Sequence, residues 1–135
     1  MKFNPGLIVG ALVAALAATA GLGGVALAGT PQAPLHAPYA QAAAVVKADA
    51  TVVRAKGVVQ VDRVNAGRYC VTIADGIDWA KSTPQATIGP GGKWNGEIRV
   101  AAEPSKVCGK DPRKLGVYTG VNGAYADQPF NVLVP

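Results

Sequence analysis

Histidine and serine, on which so much enzyme chemistry depends, are almost missing from this 135-residue chain. The single histidine, His36, lies between Pro34 and Pro38, and the only serines are Ser82 and Ser105. A Ser-His-Asp arrangement would require a residue of a proline-rich linker to be held rigidly against a distant serine, which argues against nucleophilic catalysis of that kind. Cysteine is limited to Cys70 and Cys108. One histidine and a cysteine pair expected to be oxidised leave too few ligands for zinc. No histidine falls in the same expected domain to activate either thiol. Acidic residues number only 8, and the closest pair, Asp75 and Asp78, fits turn capping better than chemistry. The pair lacks the spacing of a calcium loop, and a glycosidase needs two carboxylates set apart across a cleft. Gly89-Pro90-Gly91-Gly92-Lys93-Trp94-Asn95-Gly96 is glycine-rich, but it has no Gly-Lys-Ser/Thr ending and no helix to follow. It reads as a hairpin connector and not a phosphate cradle. The expectation is a protein that is not an enzyme, with no cofactor and no metal.

What the chain does have is a leader. Lys2 supplies a short positive start, and Leu7 to Ala28 is an uncharged run of 22 residues rich in Ala, Leu, Val and Gly. Ala26-Leu27-Ala28 puts small residues at −3 and −1 of a cut before Gly29, as a signal peptidase requires. An uncleaved anchor is the alternative, since 22 residues can cross a bilayer, but the mild hydrophobicity and the Ala-x-Ala ending favour cleavage. The expected location is therefore secreted or extracellular, with cell-wall association. Outside the cytoplasm an even cysteine count implies one disulfide, Cys70–Cys108, across 37 intervening residues. By chain entropy such a bridge contributes roughly 4 kcal/mol, less any native strain.

Residues 29–47 read as an Ala/Pro-rich linker, with Pro31, Pro34 and Pro38 breaking any helix and Gln41 to Lys47 long enough for one helical turn. From residue 48 to 135 the pattern changes to strands and turns. Ala50–Ala55, Val58–Val64, Arg68–Ala74, Gln85–Ile88, Gly96–Ala102, Gly116–Val121 and Phe130–Val134 alternate or are β-rich, and each is bounded by Gly, Pro, Asn or Asp. Asn122-Gly123 is a strong two-residue hairpin signal. The fold class is all-β: a small antiparallel sandwich or partly open barrel of about seven strands.

Several of these strands carry a recognisable pattern. Gly67-Arg68-Tyr69-Cys70-Val71 is followed by variable strands and then by a closing Gly123-x-x-x-Asp127-x-Pro129-Phe130-x-Val132 strand. This resembles a small β-sandwich domain of secreted bacterial, actinobacterial-type, proteins of unknown function, over roughly Val52 to Pro135. Such domains stand alone behind a signal peptide or sit at the ends of collagen-like stalks. The resemblance implies a sandwich and transfers no catalytic residue. No Gly-x-y repeat precedes the domain here. Within the pattern, Asp127 is expected to accept backbone N–H groups in its own turn.

The remaining signals concern binding. The chain carries a formal net charge of +5, of which Lys2 belongs to the leader. Its densest basic stretch, Lys106 to Lys114, reads as a solvated loop, with contact to anionic polymer as the sharper alternative. Nucleic acid is not an expected partner, because no aromatic stacking platform adjoins that stretch. Trp79 follows a turn and Trp94 a Gly-rich loop, so both are expected to be exposed at sheet ends, while Tyr118 and Tyr125 flank the Asn-Gly hairpin. Exposed Trp and Tyr stack on sugar rings or anchor protein partners. These four are the candidate ligand-binding residues; the bland alternative is that each Trp caps an end of the core. The leading expectation is a non-enzymatic binding module of the bacterial envelope whose partner is cell-wall polysaccharide or another surface protein. A structural or self-assembling surface protein comes second. A secreted protease inhibitor, with Cys108 bracing the Gly109–Pro112 loop, comes third.

Overall fold

The computed structural model describes residues 32–101 and 105–135. The signal peptide read over residues 1–28 and the start of the linker lie outside them. Ten strands occur among the described residues: β1 (Ala33–Pro34), β2 (Ala42–Val46), β3 (Val52–Lys56), β4 (Val58–Asn65), β5 (Arg68–Ile73), β6 (Gln85–Ile88), β7 (Gly96–Ala101), β8 (Lys114–Val121), β9 (Ala124–Tyr125) and β10 (Phe130–Val134). They form two sheets. The first has the order β1-β3-β2-β10-β6, and the second has β4-β5-β8-β7 with β9 added on β8. Every ladder is antiparallel except β1 on β3. The sandwich and all seven sequence-expected strands are present, with three more that the sequence pattern did not announce.

Period-two alternation explains the core. Tyr69, Val71 and Ile73 of β5 and Leu115, Val117 and Thr119 of β8 face Ala42, Ala44 and Val46 of β2 and Phe130, Val132 and Val134 of β10. Tyr69 and Phe130, both fully buried, meet with ring centroids 5.0 Å apart. The Asn122-Gly123 hairpin has positive φ at both residues, 52° and 77°, and joins β8 to β9 through the pair Val121–Ala124. These are the left-handed angles that a two-residue primed turn requires.

Residues 42–46 correct the linker reading. They form neither a helical turn nor a tether but a central strand, with β10 on one side and β3 on the other. Alanine favours helix in isolation. Here the segment gains a ladder on both sides, and Ala42 and Ala44 face inward where a second sheet must approach closely. Tertiary pairing outweighs the weak local preference. The β fold therefore begins well before residue 48.

The Cys70–Cys108 disulfide lies on the outer face of the second sheet, with 5.4 Å between its Cα atoms. Cys70 alternates with Tyr69 and Val71 and so points away from the core. Cys108 carries residues 105–113 over that outer face, and Gly116, paired with Cys70, gives the segment room. A Cβ on Gly116 would sit 3.1 Å from Ser105 Oγ and 3.2 Å from the Tyr118 ring. Half of the outer face is thus covered by a covalently held loop.

Candidate functional site

The other half of that face is open, and strand register determines what it displays. Arg68 of β5 and Arg99 of β7 both pair with Tyr118 of β8, so the three side chains form one outward row, Arg-Tyr-Arg. The hairpin brings Tyr125 over the row. Its ring centroid lies 6.2 Å from that of Tyr118 with the planes tilted by 45°. The Arg68 guanidinium sits 4.3 Å above the centre of the Tyr125 ring, and that of Arg99 sits 5.0 Å above Tyr118. Arg99 Nη2 also donates to the Tyr125 hydroxyl at 3.2 Å. Each such cation–ring contact contributes about 0.5–1 kcal/mol at an exposed position.

Glu97, two residues before Arg99, shares its face. Its Oε1 accepts the Gly123 N–H at 2.9 Å and so ties β7 to the hairpin. Gly120, opposite both Glu97 and Tyr125, leaves the floor without a side chain. A Cβ there would stand 2.6 Å from the Ala124 carbonyl oxygen. The result is an open cleft of about 340 Å³ lined by Glu97, Arg99, Tyr118, Gly120, Gly123 and Tyr125.

The Trp94 loop adjoins the same end of the sandwich. Asn95 Nδ2 donates to Asn122 Oδ1 at 2.9 Å, joining the loop to the hairpin. The buried Gln128 side chain accepts the Lys93 N–H at 2.9 Å and fixes the loop from below. The Trp94 indole itself is fully exposed. It borders a second depression with Pro90, Lys93 and Asn131, and the Oδ1 of Asn131 is buried with no hydrogen-bond partner among the described residues.

Of the four sequence-derived aromatic candidates, the structure brings Tyr118 and Tyr125 into contact and places Trp94 at their end of the molecule. Trp79 is a correction. It is 3% exposed, part of the hydrophobic core, and its indole N–H donates to the Pro112 carbonyl at 2.7 Å. A tryptophan after a turn was expected at the surface, but of the single helical turn Trp79–Lys81 the Trp79 side chain packs into the core while Lys81 stays exposed. Asp75 and Asp78, the closest acidic pair in sequence, each engage a basic neighbour: Asp75 pairs with Arg113 at 3.3 Å and Asp78 with Lys81 at 2.9 Å. Arg68, Arg99 and Glu97 were missed. Their signal was the period-two alternation that puts Arg68 with Cys70 and Glu97 with Arg99 on outward faces; only the register showed that these faces adjoin.

The residues of the Gly-x-Tyr and Asp-x-Pro-Phe pattern gather elsewhere, between the sheets. Asp127 Oδ1 accepts the Gly67 N–H at 2.8 Å across 60 residues, and Oδ2 accepts Arg63 Nε at 2.8 Å. Asp127 thus bonds the β4–β5 turn and not its own. The Tyr69 hydroxyl donates to the Ala48 carbonyl at 2.6 Å and lies 3.1 Å from the same carboxylate. The Arg63 guanidinium, with the Gly67 and Tyr69 donors, holds the Asp127 carboxyl below its ordinary range. Burial and the adjacent Asp127 charge push the Tyr69 hydroxyl up to about 12, so it stays a neutral donor. Gly67, at φ +63°, is fixed there because a Cβ would overlap the Thr119 carbonyl and stand 2.7 Å from the Ala126 nitrogen. This cluster is a clasp between the sheets. The chain matches no protein-family model, no curated protein and no solved structure.

Proposed function

We propose that this is an exported, non-enzymatic binding module that works at the bacterial cell envelope or outside the cell and engages its ligand at the Tyr118–Tyr125 end of the sandwich. One observation carries the reading: two tyrosines and two arginines stack on adjoining strands beside an open cleft, and a fully exposed tryptophan stands at the same end on a loop tied to the hairpin by a hydrogen bond. Two aromatic rings in contact on an open face, beside a fully exposed indole, offer apolar area for a ligand to cover. A rigid sheet face beneath them reduces the ordering a ligand must induce. The disulfide is consistent with an oxidising compartment. Cell-wall polysaccharide is the partner class that aromatic faces suit best.

Co-sedimentation of the purified protein with whole cell walls and insoluble polysaccharides, over a salt series and beside Trp94→Ala and Tyr125→Ala variants, tests this. Retention that persists at high salt and falls in either variant is the expected result. Retention lost with salt alone, or none at any salt, would remove the aromatic site. A structural or self-assembling role is the second reading, favoured by exposed Val59 and Val64 on the edge strand β4. Register shifts at both ends of that strand blunt it as a pairing edge.

A further inference from the structure

The cleft has a definite chemistry. Arg68 and Arg99 take part in none of the ion pairs among the described residues, which use Arg63, Lys81 and Arg113. Both are held by tyrosine faces instead. That leaves two oriented guanidinium forks with N–H groups to spare, each matched to a planar carboxylate. They stand two strands apart, roughly 10 Å at the backbone, and lean toward the same pair of rings. Glu97 is the only carboxylate lining the cleft. Arg99 is the guanidinium that lines the cleft beside Glu97, and Arg68, over the Tyr125 ring, adds a positive charge at its margin; these surroundings favour a monoanion over a phosphate dianion, which Glu97 repels more strongly.

Glu97 has a second consequence. Its Oε1 is occupied by the Gly123 N–H, whereas Oε2 stands over Gly120 on the cleft floor, 3.5 Å from where a Cβ would be, and has no partner among the described residues. A lone carboxylate oxygen beside an aromatic ring is an acceptor for ligand hydroxyls. Tyr125, 46% exposed, offers ring surface to the C–H face of a pyranose. A carboxylate, several hydroxyls and an apolar ring face belong together in one ligand class.

We infer that the Arg99–Tyr118–Tyr125–Glu97 cleft binds uronic-acid units of an acidic polysaccharide, with Arg99 on the sugar carboxylate, Tyr125 against the ring and Glu97 accepting a ring hydroxyl. This rests on the binding-module reading above and names the ligand for the same end of the molecule. The exposed Tyr125 ring favours an acidic glycan over an acidic peptide, because a pyranose carries an apolar C–H face together with its carboxylate and hydroxyls.

The test is the affinity of the purified protein at physiological salt for polygalacturonate. Fully methyl-esterified polygalacturonate, polyglutamate and polyphosphate serve as comparisons. Polygalacturonate should bind at least tenfold more tightly than any of the three. Arg99→Lys keeps the charge but removes the fork and the stacked plane, and should weaken polygalacturonate about tenfold. Glu97→Ala should weaken it several-fold even though it removes a repelling charge. These positions are exposed, and thermal unfolding of each variant checks that the fold is retained. Equal binding of the methyl ester, equal or tighter binding of polyglutamate or polyphosphate, or full affinity in Arg99→Lys would each overturn the assignment. If polygalacturonate fails while cell walls are still retained through Trp94, the acidic-sugar assignment falls and the binding module stands. If both fail, both readings fall.

Discussion

The two halves of one sheet face are built from the same strands and end up opposite in character. Toward Cys70 and Gly116, the outer face of the second sheet is roofed by residues 105–113, tied down by the disulfide and by Trp79, whose indole bonds Pro112. Toward Arg68 and Tyr118, two residues further along, the same face is open and carries stacked charged and aromatic side chains. What separates them is a covalent bridge and two glycines. Gly116 lets a loop lie down on the sheet, while Gly120 leaves a hollow beneath the hairpin. The covered half buries Cys70 and Cys108 against the sheet. The open half presents groups that contribute little to stability and are oriented for contact.

If that division is real, substitutions in the covered half change stability, and those in the open half change binding alone. The largest effect is expected from Trp79→Ala, which empties a buried site and strands the Pro112 carbonyl. A loss of about 3–5 kcal/mol should appear in chemical denaturation. Replacing Cys70 and Cys108 together by alanine should cost roughly 2–4 kcal/mol by the same measurement, with the Tyr118–Tyr125 cleft still formed.

Asp127→Asn probes the clasp that joins both sheets, and should cost about 1–3 kcal/mol at neutral pH, because charged hydrogen bonds to Arg63 and Gly67 are weakened. Its pH dependence has a definite sign. The folded Asp127 titrates below the ordinary value of 3.8, so its contribution is complete above that value and is lost as pH falls through the lowered one. The stability gap between the native protein and Asp127→Asn should therefore close in acid. Asp49, Asp78 and Asp111 are also lowered, but they are common to both proteins and cancel in the difference. The smallest effect belongs to Trp94→Ala, within about 0.5 kcal/mol in stability, as expected of a fully exposed side chain. A larger loss would place Trp94 in the fold and weaken the contrast between the halves.

The alternation of Tyr69, Val71 and Ile73, the two cysteines and the Asn122-Gly123 turn were legible without coordinates, because each depends on local chemistry: period-two burial, pairwise oxidation, and backbone angles that few residues adopt. β2 was not, because an alanine-rich segment has little local preference and becomes a strand only through partners elsewhere in the chain, 9 residues away in Val45–Arg54 and 88 in Ala44–Val132. Trp79 and Trp94 show the same limit. Both follow turns, and only the tertiary packing, which puts Trp79 in the core with its indole bonded to Pro112, buries one and leaves the other in solvent.

The candidate site was legible in part. Tyr118 and Tyr125 could be chosen because a two-residue turn brings its flanks together. Arg68, Glu97 and Arg99 could not, since they are far apart in sequence and meet by register between strands. The amino-acid sequence by itself determined the class of fold, the disulfide and the poverty of catalytic side chains, all of which follow from composition and short-range pattern. The tertiary structure alone decided which outward faces adjoin, which tryptophan is buried and where the cleft opens, because those depend on long-range pairing and on what each loop lies against.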